Sequence, residues 1–200
     1  YKNIKLEKRE NYAILQIANT KNNSLDEKTL LELSYATKNL NKDRKIKCIG
    51  LKGNINFFSP GADIKELEKL NFNKAKKIKL FSKIDEFQKI DIPIISFVQG
   101  YAIGGGLELA LSSDLIIASS NSKFGLPEIN LGLIPGMGGT QKSKKFTSFQ
   151  NIKYLAMTGD IIDAETAMKF GIVSKIVPKE NFGNFIINFL DKISSKPKKS

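Results

Sequence analysis

The chain has 200 residues, of which 41% are hydrophobic and 26% are charged, a composition typical of a globular protein with one substantial core. It contains no histidine and one cysteine, which excludes Ser-His-Asp and Cys-His nucleophilic machinery and nearly every zinc, copper or haem site. Acid–base chemistry must therefore use carboxylates, lysine or tyrosine. The net charge of +12 comes almost entirely from lysines spread evenly along the chain, which favours a solvated surface over a nucleic-acid site.

The cellular compartment is suggested by three features of the sequence. The lone cysteine, Cys48, cannot form an internal disulfide, so we expect a reducing compartment and a cytoplasmic protein. The N-terminus has no starting methionine and no basic segment followed by an apolar one, so no targeting segment is predicted. The longest uncharged apolar stretch, 92–107, is interrupted by proline and glycine, so we predict no membrane span.

Strand and helix patterns alternate along the chain. Strands are predicted at 4–6, 12–17, 46–51, 94–98, 115–118 and 172–177. Helices are predicted from the N-cap Asp26 to residue 39, and at 72–87, 107–112, 147–158, 163–170 and 181–193. Loops or turns are predicted at 53–61, 100–106, 124–128 and 135–139. This alternation, which has no fixed repeat period, predicts an α/β fold with mostly buried strands.

Two glycine-containing turns each precede a predicted helix. The triplet 104–106 does not fit the G-x-G-x-x-G dinucleotide fingerprint, and the chain has no phosphate-binding P-loop sequence. Its uncovered backbone N–H groups suit an oxyanion hole, although close packing of a strand against a helix would also explain the glycines. The second turn, 58–63, leaves Gly61 and Ala62 as free N–H donors because its proline has none, and Asp63 is also a plausible helix cap.

Two glutamates lie in mostly apolar segments beside features that fix the direction of the backbone. Glu108 closely follows the glycine triplet, and Glu128 follows a proline in a short uncharged loop. A single glutamate is more often a surface residue, but two carboxylates in a half-buried cleft can have their proton affinities driven apart. One carboxyl then serves as an acid and the other as a base, which is chemistry open to an enzyme without histidine.

Four segments carry a resemblance to a known family. They are 58–65, 100–110, 124–128 and 132–141. In this order they resemble the motifs of the enoyl-CoA hydratase/isomerase (crotonase) superfamily, most closely those of enoyl-CoA hydratases, and the similarity covers nearly the whole chain. It implies a spiral core of ββα units, a trimer or hexamer, a catalytic domain at 1–195 and a basic polar tail at 196–200. Family members usually carry further helices after position 193, so we expect the C-terminal helical lid to be missing or truncated.

The resemblance implies hydration of a trans-2-enoyl-CoA thioester to a 3-hydroxyacyl-CoA, in fatty-acid or related acyl-CoA metabolism. Glu108 would orient and deprotonate the water, and Glu128 would exchange the proton at Cα. The N–H groups of Ala62 and Gly105 would hold the thioester oxygen. The residues that the resemblance places along the CoA ligand are Ser24, Leu25, Ala62, Asp63, Ile64, Lys65, Gly104 and Gly105. It implies no metal and no cofactor beyond the coenzyme A of the substrate.

Two alternative functions stay open from the sequence. The first is a double-bond isomerase or another enolate reaction on the same scaffold, and family members that only shift a double bond commonly keep just the second glutamate. The second is a homologue without catalysis that binds CoA or, given the positive charge, RNA. Few aromatic residues interleave with the lysines, which makes a nucleic-acid partner the weaker interpretation.

Overall fold

The computed structural model describes residues 1–19, 22–62 and 89–197. Their strands form two sheets, one of six strands and one of four. The larger sheet has, in spatial order, β1 (Ile4–Lys8), β2 (Tyr12–Ile17), β3 (Cys48–Lys52), β5 (Ile94–Val98), β7 (Leu115–Ser119) and β10 (Lys175–Val177). The smaller sheet has β4 (Phe57–Ser59), β6 (Tyr101–Ile103), β8 (Lys123–Gly125) and β9 (Ile161–Asp163). The expected mixed α/β fold is confirmed.

Helices connect and cover the two sheets. The described α-helices are α1 (Glu27–Lys42), α2 (Gly105–Ala110), α3 (Gly139–Lys142), α4 (Phe149–Thr158), α5 (Ala164–Lys169) and α6 (Phe182–Ser194). Short 3₁₀ turns occupy Pro127–Leu131, Ser143–Lys145 and Lys179–Asn181. The predicted N-cap of the first helix is confirmed, because the Asp26 side chain accepts a hydrogen bond from the N–H of Thr29 at 2.7 Å.

The middle of the chain alternates between the two sheets. A strand of the larger sheet is followed by a strand of the smaller one in the successive pairs β3/β4, β5/β6 and β7/β8. The three members of each sheet run parallel to one another. Each pair therefore adds one turn to a spiral, and the residues after β4, β6 and β8 emerge at one edge of the smaller sheet.

The central strands of the larger sheet, β2, β3, β5 and β7, are buried on both faces, which explains their mostly apolar sequence. Every residue of β5 is buried. One face packs into the main core between the sheets, which includes Leu15, Leu51 and Phe58. The other face packs against α6, where Leu190 lies over the centre of the sheet with none of its surface exposed. The sheet is therefore a rigid support for the turns that follow the smaller sheet.

Some predicted loops are wrong. The segments 53–61 and 100–106 contain the strands β4 and β6, and the segment 124–128 overlaps the strand β8. These strands are three residues long and lie beside glycines, so they are too short to produce a period-two pattern. The helix predicted at 107–112 begins at Gly105 instead. The predicted helix 72–87 lies outside the described residues.

The ends of the other predicted elements differ from the structure by a few residues. The last strand, predicted at 172–177, occupies only Lys175–Val177, because the chain first turns back through Gly171 at a φ of 81°. The final helix, predicted at 181–193, runs from Phe182 to Ser194. In the described part of the chain, no helix combines the length and the apolar character needed to cross a membrane.

Candidate active site

The two glycine-containing turns meet at the edge of the smaller sheet. The strands that lead into them, β4 and β6, are parallel neighbours, and Ser59 is paired with Ala102. A Cβ atom placed on Gly61 would lie 3.0 Å from the backbone nitrogen of Gly105, and one placed on Gly105 would lie 3.5 Å from the nitrogen of Ala62. The structure thus brings together the two N–H groups that the sequence singles out.

Both N–H groups lie where the backbone does not use them. Gly105 is the first residue of α2, so its N–H has no partner within the helix. In the neighbouring turn, the N–H of Leu25 donates to the carbonyl of Gly61 at 2.8 Å, which leaves the N–H of Ala62 out of that contact. Within the described ranges, neither the Ala62 nor the Gly105 N–H has a hydrogen-bond acceptor. Such donors are available to a negatively charged oxygen.

Two glycines are required for this close approach. Gly104 has a φ of 53°, which side chains rarely adopt, and a Cβ there would lie 3.0 Å from Oε1 of Glu128. At Gly106 a Cβ would lie 2.0 Å from the carbonyl oxygen of Ser59, so α2 packs directly on the backbone of β4. The close-packing interpretation of the triplet is therefore correct for Gly106, and it coexists with the unused N–H of Gly105.

Glu108 lies one turn into α2 with 1% of its surface exposed. Its Oε1 accepts hydrogen bonds from the N–H groups of Met137 at 2.8 Å and Gly139 at 2.7 Å. Burial and, to a smaller extent, the charge of Glu128 raise the pKa of this carboxyl, while the two amides and Lys142 lower it, and the resulting pKa is about 7. A carboxyl with this pKa can accept or release a proton near neutral pH.

Glu128 is the second residue of the 3₁₀ turn Pro127–Leu131, which follows β8 closely, so it lies beside the same edge. Its Oε2 atom is buried, and in the described part of the molecule it has no hydrogen-bond partner. Burial raises the pKa of this carboxyl above its ordinary range. An unpartnered buried carboxyl oxygen costs stability, and such atoms are retained mainly where a ligand supplies the partner or where chemistry takes place.

The remaining predicted contacts divide into two groups. Leu25 is buried and forms an isolated parallel bridge with Ala62, so the loop that carries Ser24 lies against the turn that contains Ala62. The conformation of this loop is held by Asn23, which has a φ of 59° and donates from its side chain to the carbonyl of Phe57 at 2.9 Å. The predicted contacts 63–65 lie outside the described residues.

Sequence reasoning did not identify three residues that surround the glutamates. Met137 and Gly139 supply the amides that bind Glu108, and the thioether of Met137 lies 3.0 Å from a Cβ placed on Gly105. Both belong to the segment 132–141, whose resemblance to a family motif was the available signal. Lys142 is also buried, and nothing in the sequence distinguishes it from the many exposed lysines.

The arrangement combines two functions that enolate chemistry needs. Two backbone donors can stabilise negative charge on one oxygen, and two carboxyls of raised pKa can move protons beside it. Across the described ranges, no group of three His, Cys, Asp or Glu side chains is placed to hold a metal ion.

Glu108 is expected to reduce the stability of the fold as the pH rises. Its pKa is about 7 in the folded protein and near 4.5 ordinarily, so between these values the folded chain binds more protons than the unfolded chain. The free energy of unfolding therefore falls as the pH rises through this window. Glu108→Gln, which stays neutral, is expected to be more stable than the wild type at pH 8, by as much as about 3 kcal/mol.

Denaturant unfolding at pH 8 and pH 5 measures this difference. The gain should be largest at pH 8 and should shrink as the pH falls towards 5, because Glu108 of the folded wild type then binds a proton and is neutral, like the glutamine of the variant. Glu10→Gln, which removes an exposed carboxyl from the turn between β1 and β2, is the matched control and should show no such pH dependence. A gain for Glu108→Gln of the same size at both pH values would contradict the prediction.

Comparison with known proteins places this geometry in context. The family model described as Enoyl-CoA hydratase/isomerase matches residues 7–200. The chain is 39% identical over 173 residues to a probable mitochondrial enoyl-CoA hydratase of Dictyostelium discoideum, covering 86% of this chain and 62% of that protein. It is 37% identical to a crotonyl-CoA hydratase of Syntrophomonas wolfei, covering 98% of this chain and 77% of that protein.

The fold has close counterparts among solved structures. The crystal structure of an enoyl-CoA hydratase from Thermoplasma volcanium is similar with a TM-score of 0.91 at 30% identity, covering 100% of this chain and 80% of that one. The chain spans 62% of the length of the Dictyostelium relative and 77% of that of the Syntrophomonas relative. The similarity thus extends over nearly all of this chain and over only part of each relative.

Proposed function

Because the chain belongs to the enoyl-CoA hydratase/isomerase family, we propose that it adds water across the double bond of a trans-2-enoyl-CoA thioester to give a 3-hydroxyacyl-CoA. One observation carries the proposal: the buried carboxyl of Glu108 and the half-buried carboxyl of Glu128 lie beside two backbone N–H groups that have no acceptor among the described residues. The hydratase names of the relatives at 37–39% identity support the same reaction.

The thioester oxygen is the group that the two N–H donors bind. When water attacks Cβ, the electron pair of the C=C bond shifts towards the carbonyl, and negative charge develops on this oxygen. The N–H groups of Ala62 and Gly105 stabilise that charge more strongly than they stabilise the neutral carbonyl, which lowers the barrier. Each such donor is worth about 10²–10³ in rate.

The two carboxyls have separate roles in the proton transfers. Glu108 in its ionised form accepts a proton from the water as the C–O bond forms at Cβ. The enolate then collapses, and Glu128 in its protonated form donates a proton to Cα. Water has then been added across the double bond, and the proton left on Glu108 returns to Glu128 through the solvent or directly. Burial raises the pKa of both carboxyls, that of Glu108 to about 7, so both are suited to proton transfer. The assignment of the base to Glu108 and of the acid to Glu128 follows the family resemblance.

The presence of both glutamates favours hydration over isomerisation. Shifting a double bond moves one proton between two carbons of the substrate, and a single carboxyl is enough for that. Adding water needs one group to activate the water and a second to protonate carbon. The structure has two carboxyls close enough for the charge of Glu128 to act on Glu108.

The contacts with the CoA part of the substrate, and the assembly, remain part of the proposal. The loop of Ser24 and Leu25 lies against the turn that contains Ala62, so it is positioned to contact the thioester side of the ligand. The predicted contacts at 63–65 would follow the pantetheine and nucleotide. A trimer or hexamer, a role in fatty-acid metabolism and a cytoplasmic location stay predictions.

The proposal is tested by incubating the purified protein with crotonyl-CoA and following the absorbance of the conjugated enoyl thioester. We expect the absorbance to fall as 3-hydroxybutanoyl-CoA forms, and mass spectrometry should show the addition of one water. A 3-enoyl-CoA substrate is the comparison. Its conversion to the 2-enoyl isomer without any hydration would establish an isomerase instead, and a folded protein that consumes neither substrate would refute the proposal.

A further inference from the structure

Lys142 is a buried cation beside the candidate active site. Lys142 is the last residue of α3, and only 5% of its surface is exposed. Lysine is rarely buried to this degree unless its charge has a partner. The ammonium group donates a hydrogen bond to the carbonyl oxygen of Met137 at 2.8 Å. The location of this cation next to a buried carboxyl calls for a functional explanation.

The lysine closes the turn that binds Glu108. The Met137 and Gly139 amides of this turn donate to Oε1 of Glu108, at 2.8 and 2.7 Å. The backbone N–H of Lys142 donates to the carbonyl of Gly138 at 2.7 Å, while its side chain reaches back to the carbonyl of Met137. Met137 thus donates its N–H to Glu108 while its carbonyl accepts the hydrogen bond from the ammonium group of Lys142.

The stem of the lysine also packs against the bend of this turn. Gly138 has a φ of 86°, and a Cβ placed there would lie 3.2 Å from Cε of Lys142. The side chain therefore crosses directly over the left-handed residue between the two donor amides. Any shift of the lysine would change the direction of those amides.

The lysine acts on Glu108 through its charge as well. Among the charged side chains that influence this carboxyl, Glu128 raises its pKa and Lys142 lowers it. The lysine therefore partly offsets the effects of burial and of the second carboxylate. An ionised Glu108 is the form that can accept a proton from water.

We propose that Lys142 is a positioning residue for the reaction, whose ammonium group holds the Met137–Gly139 turn so that its amides bind the carboxylate of Glu108. This inference rests on the proposed role of Glu108 in hydration. Lys142 does not act on the substrate in this account. Its effect passes through the direction of two backbone amides and through the charge that it places beside the carboxyl.

The test replaces Lys142 by methionine, which keeps most of the stem and removes the charge and the donor. We expect kcat for crotonyl-CoA to fall about 10- to 100-fold, since small displacements of catalytic groups have effects of this size. KM should change little, because the lysine does not contact the substrate. The acidic limb of the pH profile should move to higher pH, because a positive charge that favours the ionised form of Glu108 is lost.

Two further variants keep the inference falsifiable if Lys142→Met folds poorly. Lys142→Arg preserves the charge and should recover most of the activity and the original pH profile. Lys142→Gln can still donate to the Met137 carbonyl but carries no charge, so it should show the displaced pH profile with a smaller loss of kcat. Lys145→Met removes an exposed lysine from the adjoining turn and is the matched control. A pH profile and kcat unchanged in Lys142→Gln and Lys142→Met would overturn the inference.

A titration without substrate separates this inference from the proposed function. Carbon-13 NMR of labelled glutamate side chains, with Glu108 assigned by its loss in Glu108→Gln, follows the carboxyl directly. A higher pKa of Glu108 in Lys142→Met supports the inference even if the wild type hydrates no enoyl-CoA, in which case only the proposed function fails. An unchanged pKa together with active wild type would refute the inference and leave the proposed function standing.

Discussion

Glu108→Gln is expected to lower kcat for crotonyl-CoA hydration by about 10⁴-fold, the upper range for loss of a general base. The glutamine carbonyl can still accept the hydrogen bonds that Met137 and Gly139 donate to Oε1, so the side chain should stay in place. A carboxamide cannot accept a proton from water at neutral pH, and the step that forms the C–O bond therefore loses its base. Steady-state kinetics with crotonyl-CoA measures the loss.

The same experiment separates a catalytic loss from a binding loss. KM, or the dissociation constant of a saturated acyl-CoA, should stay close to the wild-type value, because the Ala62 and Gly105 donors are untouched. Glu10→Gln, which changes an exposed carboxyl far along the chain from the site, should retain full activity. Turnover of Glu108→Gln within about tenfold of the wild type would be too fast for the loss of a general base and would remove the residue from the mechanism.

Glu128→Gln is expected to lower kcat by about 10³-fold, because the enolate then lacks its proton donor at Cα. The Oε2 atom of Glu128 is buried without a hydrogen-bond partner in the part of the chain that the structure describes. We therefore propose that its proton is transferred to the substrate. The variant has no proton to release at this position, so the alkaline limb of the pH profile, which reports the loss of the proton from Glu128, should be absent.

The double variant tests whether the two glutamates act as one unit. Groups that serve the same reaction are strongly non-additive, so Glu108→Gln with Glu128→Gln should be only slightly slower than the slower single variant. Losses that multiply fully would mean that the two carboxyls act in independent steps. A Glu128→Gln variant with wild-type kcat and pH profile would show that the proton at Cα comes from another group.

The centre of the larger sheet could be predicted from the sequence because its inner strands are buried on both faces. The sequence of β5 is mostly apolar and does not alternate between apolar and polar residues, as expected of a strand whose residues are all buried. The smaller sheet could not be predicted in this way. Its strands β4, β6 and β8 have three residues each, and their positions depend on pairing with one another rather than on a pattern within each segment.

The candidate site was predictable in its chemistry and less so in its geometry. Backbone donors near glycines, and carboxyls in apolar segments, are properties of single segments, and they indicated the triplet 104–106, Gly61 with Ala62, and the two glutamates. The choice of Gly105 and Ala62 among these donors came from the family resemblance. That these segments meet depends on the parallel order of β4, β6 and β8, which no single segment encodes. Only the family resemblance predicted that these segments lie together in one site.

The support around Glu108 was the least predictable part of the site. Its two hydrogen bonds come from backbone amides, which every sequence contains and which only the fold can direct. The sequence does not distinguish Lys142 from the other 31 basic residues, and its burial follows from the bend at Gly138. Positioning groups of this kind become visible only when the backbone is known.

Hydration of crotonyl-CoA in D₂O, with NMR comparison of the product to authentic stereoisomers, tests most directly whether both carboxyls work together on a substrate held by the two amides. Because Glu108 and Glu128 lie close enough for their charges to interact, the oxygen at Cβ and the deuterium at Cα should be added to the same face of the double bond. We expect a single syn product. An anti product, or a mixture of both, would contradict it.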